Sequence, residues 1–235
     1  MIRAAILLLG LATAAIAQDV PPPVHYELDV TLEPETHRIQ VTAEIHPGAP
    51  RAGEIEFLLH AGLAVECLDD TFALQSEEAE GEEPLKVRTW KVRPKVGEWP
   101  DAVVIHLRYQ GEIHHPLRAE SEEYARSFSR TRGLVSPEGV FLSGASWWLP
   151  QVSGRMLTYS MRVRLPEGWL SMSQGKLMEE GTWKCPYPME EIYLIANRFH
   201  RFHRKASGID AYAYLRQPDE NLAARFLETT AQYVD

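Results

Sequence analysis

Residues 26–45 read Y-E-L-D-V-T-L-E-P-E-T-H-R-I-Q-V-T-A-E-I. Tyr26, Leu28, Val30 and Leu32 alternate with polar residues. Ile39, Val41, Ala43 and Ile45 do the same beyond the turn Glu33-Pro34-Glu35-Thr36. Successive side chains of a strand point to opposite faces, so each run gathers its apolar set on one side. Two such runs around a short turn predict an antiparallel hairpin with one buried face.

The same pattern extends outward. Further strands are expected at 54–59, 86–93, 102–109, 157–165 and 191–199, and around 210–215. Between them, residues 76–83 are acidic and read as a solvated hairpin tip. Residues 120–132 mix both charge signs around Tyr124 and Phe128 and read as an exposed excursion. Many short strands at turn spacing, with almost no helix, imply an all-β fold built as a β-sandwich or a curved sheet pair. The last stretch differs. Pro218 suits a first helical turn, and Asp219 and Glu220 suit its positive end. Leu222, Ala223, Phe226, Leu227, Thr230, Tyr233 and Val234 follow at helical spacing. The expected fold is therefore an antiparallel β-sandwich domain followed by one C-terminal amphipathic helix.

The chain has 235 residues, 45% of them hydrophobic, and a formal net charge of -9. Globular proteins have this composition. The acidic balance argues against nucleic-acid partners, because phosphate backbones are held by clustered Lys and Arg. At the N-terminus, Arg3 precedes an apolar run from Ala4 to Ile16, and Ala15-Ile16-Ala17 stands before Gln18. That pattern predicts a signal peptide over 1–17 and a mature chain that is secreted or periplasmic. The run is too short for a spanning helix, which needs about 20 apolar residues, and no later segment predicts a membrane span. Cys67 and Cys185 are the only cysteines. They leave two alternatives, one disulfide or two free thiols, and are too few for a cysteine-based zinc site.

Candidate chemistry is sparse. Gly144-Ala145-Ser146-Trp147-Trp148 approaches the nucleophile elbow G-x-S-x-G, but Trp148 replaces the final glycine, and Pro150-Gln151 does not open a helix. No H-E-x-x-H occurs. His200 and His203, like His114 and His115, stand an odd number of positions apart, so in a strand each pair faces opposite sides and cannot share an ion. These histidines, with His25, His37, His46, His60 and His106, are expected to be polar residues in or beside strands. Glycine-rich phosphate loops are absent, and no basic patch interleaved with aromatics suggests single-stranded nucleic acid.

Five segments in order carry a family resemblance: 26–45; V-V-I-H-L-R-Y-Q-G-E-I-H-H-P at 103–116; G-V-F-L-S-G-A-S-W-W-L-P-Q at 139–151; M-R-V-R-L-P-E-G-W-L-S-M-S-Q at 161–174; and E-I-Y-L-I-A-N-R-F at 191–199. Together the chain resembles the N-terminal β domain of zinc aminopeptidases of the membrane alanyl aminopeptidase type, the gluzincin aminopeptidases. The resemblance implies a saddle-shaped β domain over 18–216 that packs on a catalytic domain. Residues 217–235 then match the start of that domain's first helix. The family's zinc-binding H-E-x-x-H and its amine-binding G-x-M-E-N loop do not occur in this sequence, so no catalytic or metal-binding residue is carried over. Zinc is expected only in a full-length parent, whose substrate would be a peptide, and the fragment alone is expected to be inactive. The resemblance also implies that Ser143, Gly144 and Trp147 line the rim of the pocket for the first substrate side chain, and that Trp148 anchors the interface between the two domains. Two competing expectations are a stand-alone secreted β-sandwich that binds a protein partner and a serine hydrolase using Ser146.

Overall fold

The computed structural model describes residues 21–48, 53–81, 85–116, 118–119 and 129–234. The expected signal peptide and most of the 120–132 excursion lie outside the described residues. In chain order the strands are β1 (Val24–Glu33), β2 (Arg38–His46), β3 (Ile55–His60), β4 (Leu63–Cys67), β5 (Phe72–Ser76), β6 (Val87–Pro94), β7 (Ile105–Glu112), β8 (Arg118–Ala119), β9 (Ser129–Arg130), β10 (Leu134–Ser136), β11 (Gly139–Leu142), β12 (Leu157–Arg164), β13 (Leu170–Met172), β14 (Lys176–Leu177), β15 (Thr182–Met189), β16 (Leu194–Asn197), β17 (His200–Ala206) and β18 (Ile209–Leu215). One helix, α1 (Glu220–Val234), follows.

The 26–45 hairpin forms as its alternation requires. Tyr26 faces Ile45, Leu28 faces Ala43, Val30 faces Val41 and Leu32 faces Ile39, and all eight side chains are buried. The turn is a single 3-10 turn, Pro34–Thr36, closed by His37 in the left-handed region. This hairpin is the centre of a seven-stranded sheet in the order β14-β15-β12-β1-β2-β7-β4. One pair in it, β1 with β12, is parallel, with Tyr26 beside Tyr159 and Val30 beside Val163. A parallel pair needs a long crossover, and here the crossover contains the sheet β3-β6-β5 and two of the four strands, β10 and β11, of the sheet β10-β11-β16-β13. Buried side chains of all three sheets form one apolar core.

Several strands escaped the sequence reading. β15 contains Pro186 and Pro188, which argue against a strand because proline cannot donate to the ladder. The structure admits them at a register shift, where Leu157 faces Met189 but Tyr159 faces Cys185. The apolar run expected as one strand over 191–199 ends at Asn197 in one sheet, and β17 begins at His200 in another.

The acidic segment after Ser76 is the connection between β5 and β6, as its charge suggested. Lys91 of β6 reaches back to it and pairs with Glu77 at 2.6 Å and Glu54 at 3.3 Å. Cys67 and Cys185 are free thiols. They stand on β4 and β15, five inter-strand steps apart, or roughly 24 Å at the usual strand spacing. A disulfide needs Cα atoms about 4.4–6.8 Å apart.

Beyond the sandwich, β17 and β18 form a hairpin on which α1 packs. Ala211, Ala213, Ala223 and Leu227, with Phe202 and Leu215 against them, form a second apolar cluster. The expected boundary at 216/217 falls inside this cluster. Asp219 caps the helix by accepting the Leu222 N–H at 2.8 Å, so Pro218 lies before the cap and not in the first turn. The buried stripe is also narrower than its apolar spacing implied. Ala223, Leu227 and Ala231 are buried, while Phe226 and Tyr233 are 52% and 87% exposed.

Candidate functional site

The loop 139–151 is fixed at each step. β11 pairs with β16, placing Phe141 beside Ile195. The chain then closes a 3-10 turn, Gly144–Ser146. The Ser143 N–H donates to Ser146 Oγ at 3.0 Å, and the Ser146 N–H donates to the Ser143 carbonyl at 3.0 Å. Trp147 follows in the left-handed region at φ 51°, a conformation that costs a non-glycine residue about 1–2 kcal/mol. Its neighbours hold it there. Its N–H donates to the Gly144 carbonyl at 3.0 Å, and its carbonyl accepts the His60 N–H at 2.7 Å. Leu58 and Gln151 then exchange two backbone bonds of 2.9 and 3.0 Å, and Tyr26 donates its phenolic proton to the Pro150 carbonyl at 2.7 Å.

A polar cluster backs the turn. Glu191 accepts the Gly144 N–H at 2.5 Å through Oε2 and the Tyr193 hydroxyl at 2.9 Å through Oε1. Gln174 donates to the Glu191 carbonyl at 3.2 Å and accepts the Tyr193 N–H at 2.9 Å. Gln151 donates to the Gly144 carbonyl at 2.7 Å. The hydrogen bond to Glu191 raises the Tyr193 phenol above its ordinary range. Glycine at 144 is a steric requirement: a Cβ there would lie 2.6 Å from Glu191 Oε2 and 2.9 Å from its Cβ.

The three rim residues expected from the sequence separate. Trp147 is half-buried and lines a cleft of about 460 Å³ with Leu58, Gln151, Arg155, Met156 and Glu190. Ser143 is buried and Gly144 half-buried; they sit against Ser146 and Glu191 and do not line that cleft. Trp148 corrects its expected role. It is 1% exposed within the core of this same chain, with its Nε1–H donating to the Ile192 carbonyl at 3.3 Å. The left-handed step at Trp147 turns the next side chain inward, so Trp148 anchors the loop to its own domain. Ser146 is fully buried and its Oγ is already engaged as an acceptor, whereas a nucleophile elbow presents its hydroxyl to substrate.

Sequence reasoning missed Glu191, Gln174 and Tyr193 as partners of the loop. The only local signal was the glycine at 144, which does not say what approaches it. It also gave no sign that two of the histidines in or beside strands are buried against each other. His60 and His115 are buried, with their Nε2 atoms 2.9 Å apart. His60 Nδ1 accepts the Gly62 N–H at 3.0 Å, so the neutral ring carries its proton on Nε2 and donates it to His115. Burial, with His115 adding to it, pushes the His60 pKa down to about 4. By contrast, His200 and His203 are exposed on β17, and His37 stacks on His114 with centroids 3.8 Å apart. Among the described residues no group of three or more His, Cys, Asp or Glu side chains is placed to hold a metal ion. No described helix is long and apolar enough to cross a membrane. At the surface of the loop Ala145 is exposed, and Gly144 and Trp147 are half-exposed.

No protein-family model matches the sequence, and no curated protein matches it significantly. Solved structures do match. An aminopeptidase N family protein from Idiomarina loihiensis aligns over 88% of this chain and 35% of its own, at 13% identity and a TM-score of 0.52. An M1 zinc metallopeptidase from Deinococcus radiodurans aligns over 88% of this chain and 52% of its own, at 18% identity and a TM-score of 0.46. The chain thus shares its fold with part of an aminopeptidase N family protein, and it spans about a third to a half of the length of these structures.

Proposed function

We propose that this chain is the N-terminal, non-catalytic β portion of a secreted or periplasmic zinc metallo-aminopeptidase. On this reading residues 1–17 are a signal peptide, 18–216 the β domain and 217–235 the lead into a catalytic domain. Zinc, the general base and the groups that hold the substrate's free amine belong to that catalytic domain. Its peptide substrate meets this chain at the 139–151 loop, where Gly144 and Trp147 reach the surface and Ser143 lies buried beneath them. The observation that carries the reading is the fold shared over 88% of the chain with about a third of an aminopeptidase N family protein. The exposed outer stripe of α1, with Phe226 and Tyr233, supports it, because such apolar side chains mark a surface that packs against something.

Two measurements test the proposal. Reading the coding sequence downstream of residue 235 should reveal an H-E-x-x-H; continuing coding sequence without one refutes it. The purified chain should show no turnover of an aminoacyl substrate, and chelator-sensitive hydrolysis by it would overturn the assignment of catalysis to another domain.

A further inference from the structure

The hairpin β17–β18 is a basic ribbon on an acidic protein. Residues 198–216 hold five cations, Arg198, Arg201, Arg204, Lys205 and Arg216, against one acid, Asp210, in a chain whose formal charge is -9. The pleat sorts them. Phe202, Ala211 and Ala213 face α1 in the second apolar cluster. Arg201, His203 and Lys205 therefore occupy the other face, directly opposite Tyr214, Tyr212 and Asp210. All but Tyr214 are exposed. Asp210 is engaged by His203 at 2.8 Å, so the one acid is satisfied within the ribbon. His203 stacks on Tyr212 at 4.8 Å, and the Arg201 guanidinium lies 5.7 Å from the same ring centroid.

The tip completes the pattern. Ser207 and Gly208 have φ of 45° and 83°, as a two-residue type I′ turn demands. Nothing lies within 4 Å of where a Cβ on Gly208 would sit, and Ile209 beside it is 52% exposed. A projecting apolar tip, amphipathic tyrosines behind it and cations on the flanks match the depth profile of a bilayer interface. There, acyl chains lie under headgroup phosphates, and tyrosine sits between them. A nucleic acid fits less well: Tyr212 already has His203 and Arg201 against its ring, and Ile209 has no role in stacking bases. The acidic remainder of the protein does not forbid approach, because charges farther than about 8 Å from the surface are largely screened at physiological salt.

We propose that this hairpin docks the protein peripherally on an anionic lipid bilayer, with Ile209 at its tip entering the headgroup–acyl boundary and Arg201 and Lys205 of the open face meeting lipid phosphates. The test is co-sedimentation of the full chain with phosphatidylglycerol-containing vesicles and with pure phosphatidylcholine vesicles at physiological salt. Binding is expected to the anionic vesicles only, and to fall as salt is raised. Each cation removed should weaken binding roughly fivefold, so Arg201→Gln with Lys205→Gln should weaken it about 25-fold. Ile209→Ser should weaken it several-fold with the charge unchanged. All three sites are exposed, and far-UV circular dichroism checks that the variants remain folded. The apolar N-terminal run is common to every variant. Binding that survives the substitutions, or that is equal on neutral vesicles, therefore overturns the proposal. So does a single-stranded oligonucleotide bound more tightly than the vesicles through the same cations.

Discussion

Acidification should destabilise this fold through one buried pair, His60 and His115. Each acceptor nitrogen of the pair is already used: His60 Nδ1 by the Gly62 N–H and His115 Nε2 by His60. An added proton must therefore break one of these bonds. His60 drops from an ordinary 6.5 to about 4 in the folded protein. Its folded pKa is depressed, so between those values the unfolded chain binds more protons than the native one. The stability is complete above pH 6.5, falls as pH drops toward 4 and changes little from this source below that. At about 1.36 kcal/mol per pKa unit, the loss across the window is roughly 3 kcal/mol. Urea unfolding at a series of pH values, for wild type and for His60→Asn, isolates it. Asparagine can still accept the Gly62 N–H but does not titrate. The variant should start about 1–2 kcal/mol less stable near pH 7, the worth of one lost buried hydrogen bond. The gap should close and reverse by pH 4, while the carboxylates titrate equally in both proteins. Parallel stability curves from pH 7 to 4 would refute the tautomer assignment and the reasoning built on it.

Other outcomes follow from packing. Gly144→Ala should displace Glu191 and break its bond to the turn, costing about 1–3 kcal/mol and lowering Tm by several degrees in a scanning calorimeter; an unchanged Tm would mean that Glu191 does not approach as closely as described. Leu227→Ala removes a buried side chain from the second cluster and should cost about 2–5 kcal/mol. Hydrogen exchange should rise in β17, β18 and α1 before it rises in the seven-stranded sheet, and a uniform rise would show that the two clusters unfold together. Thiol titration after prolonged air oxidation should still count two intramolecularly unbonded cysteines, since Cys67 and Cys185 stand at distant positions in one sheet. A fluorophosphonate probe should leave Ser146 unlabelled in the native protein, because its hydroxyl is buried and engaged.

The strands legible in the sequence were those with a strict two-residue period. Residues 26–45 fixed the hairpin because a one-residue slip would turn every buried side chain to solvent. β15 was hidden because its prolines break the local rule, and a register shift in the neighbouring pair excuses them. For the candidate site, the glycine at 144 and the two tryptophans marked the loop, but their roles were not local. Nothing in the spacing of G-A-S-W-W says that Trp148 turns inward to Ile192, or that a carboxylate 47 residues away sits where a Cβ would go.

The sequence by itself determined the class of fold, the apolar faces of its regular strands and the absence of an H-E-x-x-H, because each is a property of residues near one another in the chain. Tertiary structure decided the rest. It set β1 parallel beside β12, kept Cys67 from Cys185, brought His60 onto His115 across 55 residues and put Arg201, His203, Lys205 and two tyrosines on one open face. These are pairings between distant segments. Periodicity can say which side of a strand is buried, but not which other strand will lie beside it.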